Sequence, residues 1–311
     1  MRVGPAGISI TTFGTGLVLI YTLLITFSDA ITKYLAQSYG APQLLSIIAL
    51  LIALMSLGSS RVRGEKVTLR TNFPGVMAMR AAMTVVATVM FFYALATLAL
   101  AQVFLFVALV PLLSALMSGP ILGERVRPAA WVALGCGFLG VLCMVEIRLS
   151  TITTGHIAAF VGAVSGTGSI VLSRYIGRRE NTPLAQVFYP QLAVFLSMLL
   201  LAPLGWQPMP LFDLMMAVLC AVVLFSARLL LVIALRHLTA YAVTPLMNLQ
   251  FVWMVLIGLV VFNEVPQAST LIGAIIVMVS GAYLVFDQSQ AETAPDHAMP
   301  VSFRKPVLAR G

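Results

Sequence analysis

Asp29, Arg80 and Arg228 are ionisable side chains set inside long apolar runs of a 311-residue chain. A carboxylate in such a place can meet a cationic group or take up a proton. A guanidinium offers a planar fork of donors that suits a carboxylate or a phosphate. Thr22, Thr26, Asp29 and Lys33 follow one another at steps of 4, 3 and 4, and Arg80, Thr84 and Thr88 recur every 4 residues ahead of Phe91, Phe92 and Tyr93. These spacings place each set on one helical face. Asp29 and Lys33 are also spaced for an ion pair one turn apart. Two readings stay open for these charges. Either the Asp29–Lys33 pair anchors a helix end and the arginines snorkel to headgroups, or Asp29 lines a cavity and the arginines hold an anionic group of a ligand.

Other polar residues in oily surroundings extend the candidate set. Tyr189 and Gln191 flank Pro190 in "FYPQ", and Pro245, Asn248, Gln250 and Trp253 lie close together farther on. A proline removes a helical hydrogen bond and bends a helix, while amides and rings can orient a ligand. In "GAVSGTGS", Gly162 and Gly166 are spaced for close helix contact, and Ser165 and Ser169 share a face; no GK[ST] follows, so this is no phosphate loop. Glu124 and Glu264 each end an apolar run just before a turn, where a carboxylate can accept from the next helix's free amides or serve a gate.

Lipid must surround the elements that carry these residues. The chain is 60% hydrophobic and 9% charged, with a mean hydropathy of +1.04, whereas a water-soluble globule is about a quarter charged. The pI of 9.8 reflects short basic clusters between oily runs, so nucleic acid is not the expected partner. Cys136, Cys143 and Cys220 show neither CxxC nor Cys/His spacing, and are read as packing residues; no metal or cofactor is expected.

A helix crossing ~30 Å of hydrocarbon needs about 20 residues, and open strands cannot cross. About ten such segments are present: 12–36, 42–57, 75–97, 100–122, 128–145, 155–176, 184–204, 211–235, 240–262 and 268–286. The polar remainder, 287–311, reads as a disordered cytoplasmic tail. With the N-terminus inside, only Lys33 and Arg148 of the 18 basic residues fall at the outer side and only Arg80 and Arg228 lie well within spans. That bias sets the orientation, with both termini cytoplasmic.

Half of the chain is also written twice. Ala94-Leu95 with Glu124 and Ala234-Leu235 with Glu264 share one offset, 234 − 94 = 264 − 124 = 140. Residues 1–149 and 150–286 are thus expected to form two repeats. An odd number of spans, five per half, inserts them in opposite senses. The expected fold is an all-α integral membrane protein of ten transmembrane helices in two inverted five-helix repeats.

"YALATLALAQVFLFVALVPLLSALMSGPILGERV" and its second copy, "IALRHLTAYAVTPLMNLQFVWMVLIGLVVFNEVP", resemble the EamA-type carriers of the drug/metabolite transporter superfamily. "DAITKYL" and "LSRYIGRRENTP" are similar to the bacterial members that include S-adenosylmethionine and riboflavin uptake carriers. The resemblance implies a central cavity lined mainly by spans 1, 3, 4, 6, 8 and 9, and alternating access without ATP. It also implies a repeated proline-to-glutamate segment, Pro111 to Glu124 and Pro245 to Glu264. One departure is the uncharged "PQLLSIIALLIAL" of the second span, where relatives often carry an arginine.

The sequence therefore reads as a secondary carrier in the cytoplasmic membrane for a small polar or amphipathic metabolite, with an anionic group favoured by the two arginines. Direction, proton coupling and assembly as a homodimer stay open. A drug or amino-acid exporter is the alternative, and a sensor or an intramembrane enzyme the remote one. Against an enzyme, Asp29 is the lone aspartate well inside a span.

Overall fold

The computed structural model describes residues 10–62, 69–123, 153–201, 205–237, 247 and 250–263, with short runs between 128 and 140 and between 265 and 283. The described residues are helical apart from turns, with no strand among them. The helices are α1 (Ile10–Leu35), α2 (Ala41–Val62), α3 (Pro74–Thr97), α4 (Leu100–Val107), α5 (Val110–Leu122), α6 (Thr154–Gly177), α7 (Pro183–Leu199), α8 (Leu211–His237) and α9 (Gln250–Phe262). Long, straight-chain and aromatic apolar residues favour helix here, because lipid offers no partner for a free backbone amide. α1, α2, α3, α6 and α8 are each long and apolar enough to cross a bilayer, and α5, α7 and α9 are shorter apolar helices. The expected spans at 128–145 and 268–286 lie only partly within the described residues, and the tail at 287–311 lies outside them.

The fourth expected span is two helices, not one. α4 stops at Val107 and α5 starts at Val110, with a turn at 108–109. Pro111 has no N–H to donate to the carbonyl four residues back, which is that of Val107, and its ring crowds that carbonyl.

The 140-residue offset recurs in these elements. α5 runs from 110 to 122 and α9 from 250 to 262, so both ends differ by 140. Each is followed by a residue in left-handed conformation, Gly123 with φ 65° and Asn263 with φ 54°. Gly and Asn reach that region at least cost, and it turns the chain out of a helix. Phe251 is the counterpart of Pro111, so the two prolines of the repeated segment do not correspond (Pro245 falls outside the described residues). Ala94, Leu95, Ala234 and Leu235 are all buried in the last turns of α3 and α8.

The most extensive packings are α3 on α6, α1 on α8 and α2 on α7. Thr97 lies by Gly155, Phe91 by Gly162 and Met83 by Gly168, so α3 and α6 run antiparallel. α1 and α8 do likewise: Val18 and Tyr21 pack with Ala234 and Leu235, Ser28 touches Cys220, and Tyr39 reaches Asp213. The outer faces carry exposed Leu19, Ile20, Leu23, Phe27, Met215, Val218 and Val222, as helices in lipid do. Cys220 is buried against Ser28 and Thr32, whereas Cys136 is exposed and therefore not a packing residue of this core. Cys143 lies outside the described residues.

At Gly140 the close neighbour is backbone. A Cβ there would stand 2.9 Å from the main-chain oxygen of Gly273 and 2.9 Å from Ile276 Cγ2. A backbone oxygen cannot rotate away, so Gly140→Ala is expected to destabilise the protein by about 1–3 kcal/mol, read as a lower melting temperature in detergent. An unchanged melting temperature would mean that the two segments separate freely.

Candidate functional site

A cavity of about 250 Å³ opens between the helices and takes its wall from all of them. Its charged members are Asp29 of α1, Arg80 of α3 and Arg228 of α8, joined by Thr84, Thr88, Ser169, Ser173, Gln186, Gln191 and Gln250. Apolar residues such as Leu45, Ile48, Phe91, Phe92, Leu95 and Val194 form the rest of the wall. α2 and α7 both contribute, which the expected set of lining spans left out.

Arg80 is placed by a proline in another helix. Pro190 cannot donate to the carbonyl four residues earlier, that of Gln186, so this acceptor is left free inside α7. Arg80 fills it by donating from Nη1 to Gln186 O. Its neighbour Thr84 donates to Arg80 O at 2.8 Å and accepts from Ser169 Oγ at 2.8 Å, which ties the polar stripe of α3 to α6. Ser173 donates to Gln186 Oε1 at 2.6 Å. Asp29 accepts from Gln250 Nε2 at 2.9 Å, across from α1 to the first residue of α9.

Several predicted site residues do not line the cavity. Thr22 and Thr26 are buried and donate to their own helix, to Leu19 O at 2.7 Å and Thr22 O at 2.8 Å. A threonine hydroxyl can satisfy itself on the preceding turn, so sharing a stripe with Asp29 did not bring these two to the cavity. Tyr93 is exposed, with its hydroxyl 2.9 Å from Thr154 Oγ1. Tyr189 packs beside Met77, Ile176 and Ala185, and Trp253 is half-buried on α9 away from the lining. Pro111 is buried at the start of α5. Asn248, Pro245, Glu124 and Glu264 lie outside the described residues. Gln186 and Ser173 went unnoticed in the sequence; the four-residue step back from Pro190 is the signal that marks Gln186.

Basic residues elsewhere follow the same chemistry as Arg80. Lys33 Nζ donates to Leu98 O at 2.9 Å, just past the end of α3, and stands over the Phe262 ring at 5.4 Å. Arg174 Nη1 donates to Leu235 O at 2.6 Å in the last turn of α8, and Arg178 Nη1 to Leu122 O at 3.1 Å at the end of α5. The last carbonyls of a helix lack partners within it and carry partial negative charge. At the Arg174 end, Glu180 accepts from Thr71 Oγ1 at 2.6 Å, Thr182 Oγ1 at 2.8 Å and the Asn72 N–H at 2.8 Å. At the Lys33 end, Tyr39 donates to Asp213 Oδ2 at 2.6 Å; this hydrogen bond, together with burial and the carboxylate's charge, pushes the phenol up to about 12. Gln43 and Gln207 exchange two hydrogen bonds there, 2.7 and 2.9 Å.

Apolar outer faces, membrane-length helices and a charged inner cavity together define a multi-pass helical membrane protein. The chain belongs to the EamA-like transporter family, whose model matches residues 12–146 and 153–286, and so to the drug/metabolite transporter superfamily. It is 26% identical over 277 residues to the protein named pseudopaline exporter CntI in Pseudomonas aeruginosa strains UCBPP-PA14 and PAO1, covering 86% of this chain and 94% of the relative. A solved crystal structure superposes with a TM-score of 0.68 at 20% identity, covering 91% of this chain and 99% of the other, and so shares the fold.

Proposed function

We propose that the protein is a secondary transporter that moves a small polar or amphipathic metabolite across the cytoplasmic membrane by alternating access, without covalent chemistry. One observation carries this reading: a cavity whose polar wall is shared between the first half, through Asp29, Arg80 and Thr84, and the second, through Ser169, Gln191, Arg228 and Gln250. A site at the meeting of two repeats is exposed to either side by rocking one against the other. Antiparallel pairing of α1 with α8 and of α3 with α6 supports an inverted arrangement of five-helix halves. Arg70, Arg174, Arg178, Arg179 and Arg236 share one end, which supports placing that end in the cytoplasm. The exporter function named for the Pseudomonas relatives favours export of a metabolite.

Flux tests the reading directly. A metabolite found to raise the melting temperature of the purified protein is expected to cross proteoliposomes that contain it, faster than protein-free liposomes. Flux at the protein-free background, with and without a pH gradient, would overturn the assignment.

Lys33 and Arg174 lie one residue off the 140 register (174 − 33 = 141), and each ties the first helix of its half to the end of the third, at opposite ends of the bundle. Alternating access opens one end at a time, so these ties are the contacts to release in turn. A hydrogen bond from a charged donor contributes about 1.5–3 kcal/mol when shielded from water. Arg174 is buried and Lys33 only partly so. Arg174→Met is expected to shift the two-state balance about tenfold toward opening at its end, and Lys33→Met to shift it less and in the opposite sense. Labelling of single cysteines placed at 98 and 235 by a membrane-impermeant thiol reagent reads both. Shifts of the same sign would refute the pairing.

A further inference from the structure

We infer that the cavity takes the carboxylate of a small amphipathic monoanion, with Arg80 as its counter-ion. The inference rests on the transporter reading for its biological meaning and on the site alone for its chemistry.

Charge balance comes first. The described cavity wall holds two guanidiniums, Arg80 and Arg228, and one carboxylate, Asp29. Two guanidiniums against one carboxylate leave one positive charge in surplus. Among the described residues Arg80 meets only an uncharged acceptor, Gln186 O, and so is the guanidinium assigned to the ligand.

Hydrogen-bond balance agrees with it. Arg80 is 9% exposed; one N–H goes to Gln186 O, and its Nε has no partner among the described residues. Arg228 Nε and Gln191 Nε2 are likewise buried with no partner among them, and Gln191 is 2% exposed. Guanidinium nitrogens can only donate, so what completes them must be an acceptor. A carboxylate suits such a fork, and its single charge cancels the surplus. A dianion would overshoot, leaving an uncompensated negative charge at low dielectric, and a cation would add to the positive one.

Shape supplies the second half of the ligand. Arg80 and Phe92 are twelve residues apart on α3, about 18 Å along the axis. The lining passes from Arg80, Gln186 and Ser173 at one level to Phe91, Phe92 and Leu95 at the other. An anionic head and an apolar body match that gradient.

A matched series tests this on the purified full-length protein: 4-phenylbutyrate, 4-phenylbutanamide, 4-phenylbutylamine and phenylsuccinate, with binding read by calorimetry and thermal shift. The monocarboxylate is expected to bind at least about tenfold more tightly than the amide, the amine or the dianion. Arg80→Gln should remove that preference, and Arg80→Lys, which keeps the charge and loses the fork, should restore part of it. Asp29→Asn raises the surplus to two charges and is expected to swing preference toward phenylsuccinate; should that variant not fold, Asp29→Asn/Arg228→Gln returns the surplus to one and should prefer the monocarboxylate again. Equal binding of acid and amide, no binding of the acid at millimolar concentration, or an acid preference that survives Arg80→Gln would overturn the inference. Flux in proteoliposomes separates the two claims. Arg80-dependent acid binding without flux sinks the transporter reading and keeps the site, whereas flux of the amine or amide without charge preference does the reverse.

Discussion

Gly166→Phe is expected to bring flux to the protein-free background while Gly166→Ala leaves it near wild type. Gly166 lines the cavity, and a Cβ at that position meets only Ala87 Cβ at 3.7 Å and Phe91 Cε2 at 3.8 Å, which are ordinary van der Waals contacts. A methyl group therefore fits without movement. A benzyl group has only one roomy direction, into a cavity of about 250 Å³, and occupies space a solute needs. Two measurements check it: flux in proteoliposomes, and a melting temperature showing that the phenylalanine variant still folds. Full flux through a folded Gly166→Phe would mean that solute passes by another route.

Asp29→Asn carries the largest expected stability effect in the cavity wall, and a second substitution should reverse it. Removing the carboxylate leaves Arg80 and Arg228 facing one another with no counter-charge among the described cavity residues. Breaking a fully buried pair costs about 3–5 kcal/mol. Asp29 and Arg228 are only partly buried and line the cavity, so about 1–3 kcal/mol is expected here. The double variant Asp29→Asn/Arg228→Gln should recover most of it, because one guanidinium alone remains. Melting temperatures of the four members of this cycle measure the coupling. Additive losses would show that Asp29 stabilises the fold through Gln250 and not through charge.

Reading these outcomes requires knowing which residues meet, and here sequence and structure divide the information unevenly. The stripe Arg80, Thr84 and Thr88 was legible because a four-residue step defines a helical face, and all three line the cavity. The same rule placed Thr22, Thr26 and Asp29 on one face, yet only Asp29 lines it. A hydroxyl closes on the carbonyl of its own preceding turn, which costs nothing long-range, while a charge must find a partner beyond its helix. Glu180 shows the opposite case. In sequence it is one charge in a basic loop, but in the fold it gathers Thr71, Asn72 and Thr182 around the start of α3.

By itself the sequence determined the solvent, the main membrane-crossing helices and the doubling at an offset of 140, because hydropathy, helical period and the spacing of Ala94-Leu95 with Glu124 and of Ala234-Leu235 with Glu264 are read directly along the chain. It also identified Asp29, Arg80 and Arg228 as the charges that need an explanation. Only the tertiary structure decided that Arg80 is held by the carbonyl Pro190 frees, that Asp29 is held by Gln250, and that α2 and α7 complete the wall. Those are meetings between helices 106 and 221 residues apart in the chain, and no local pattern records which faces will touch once the helices pack.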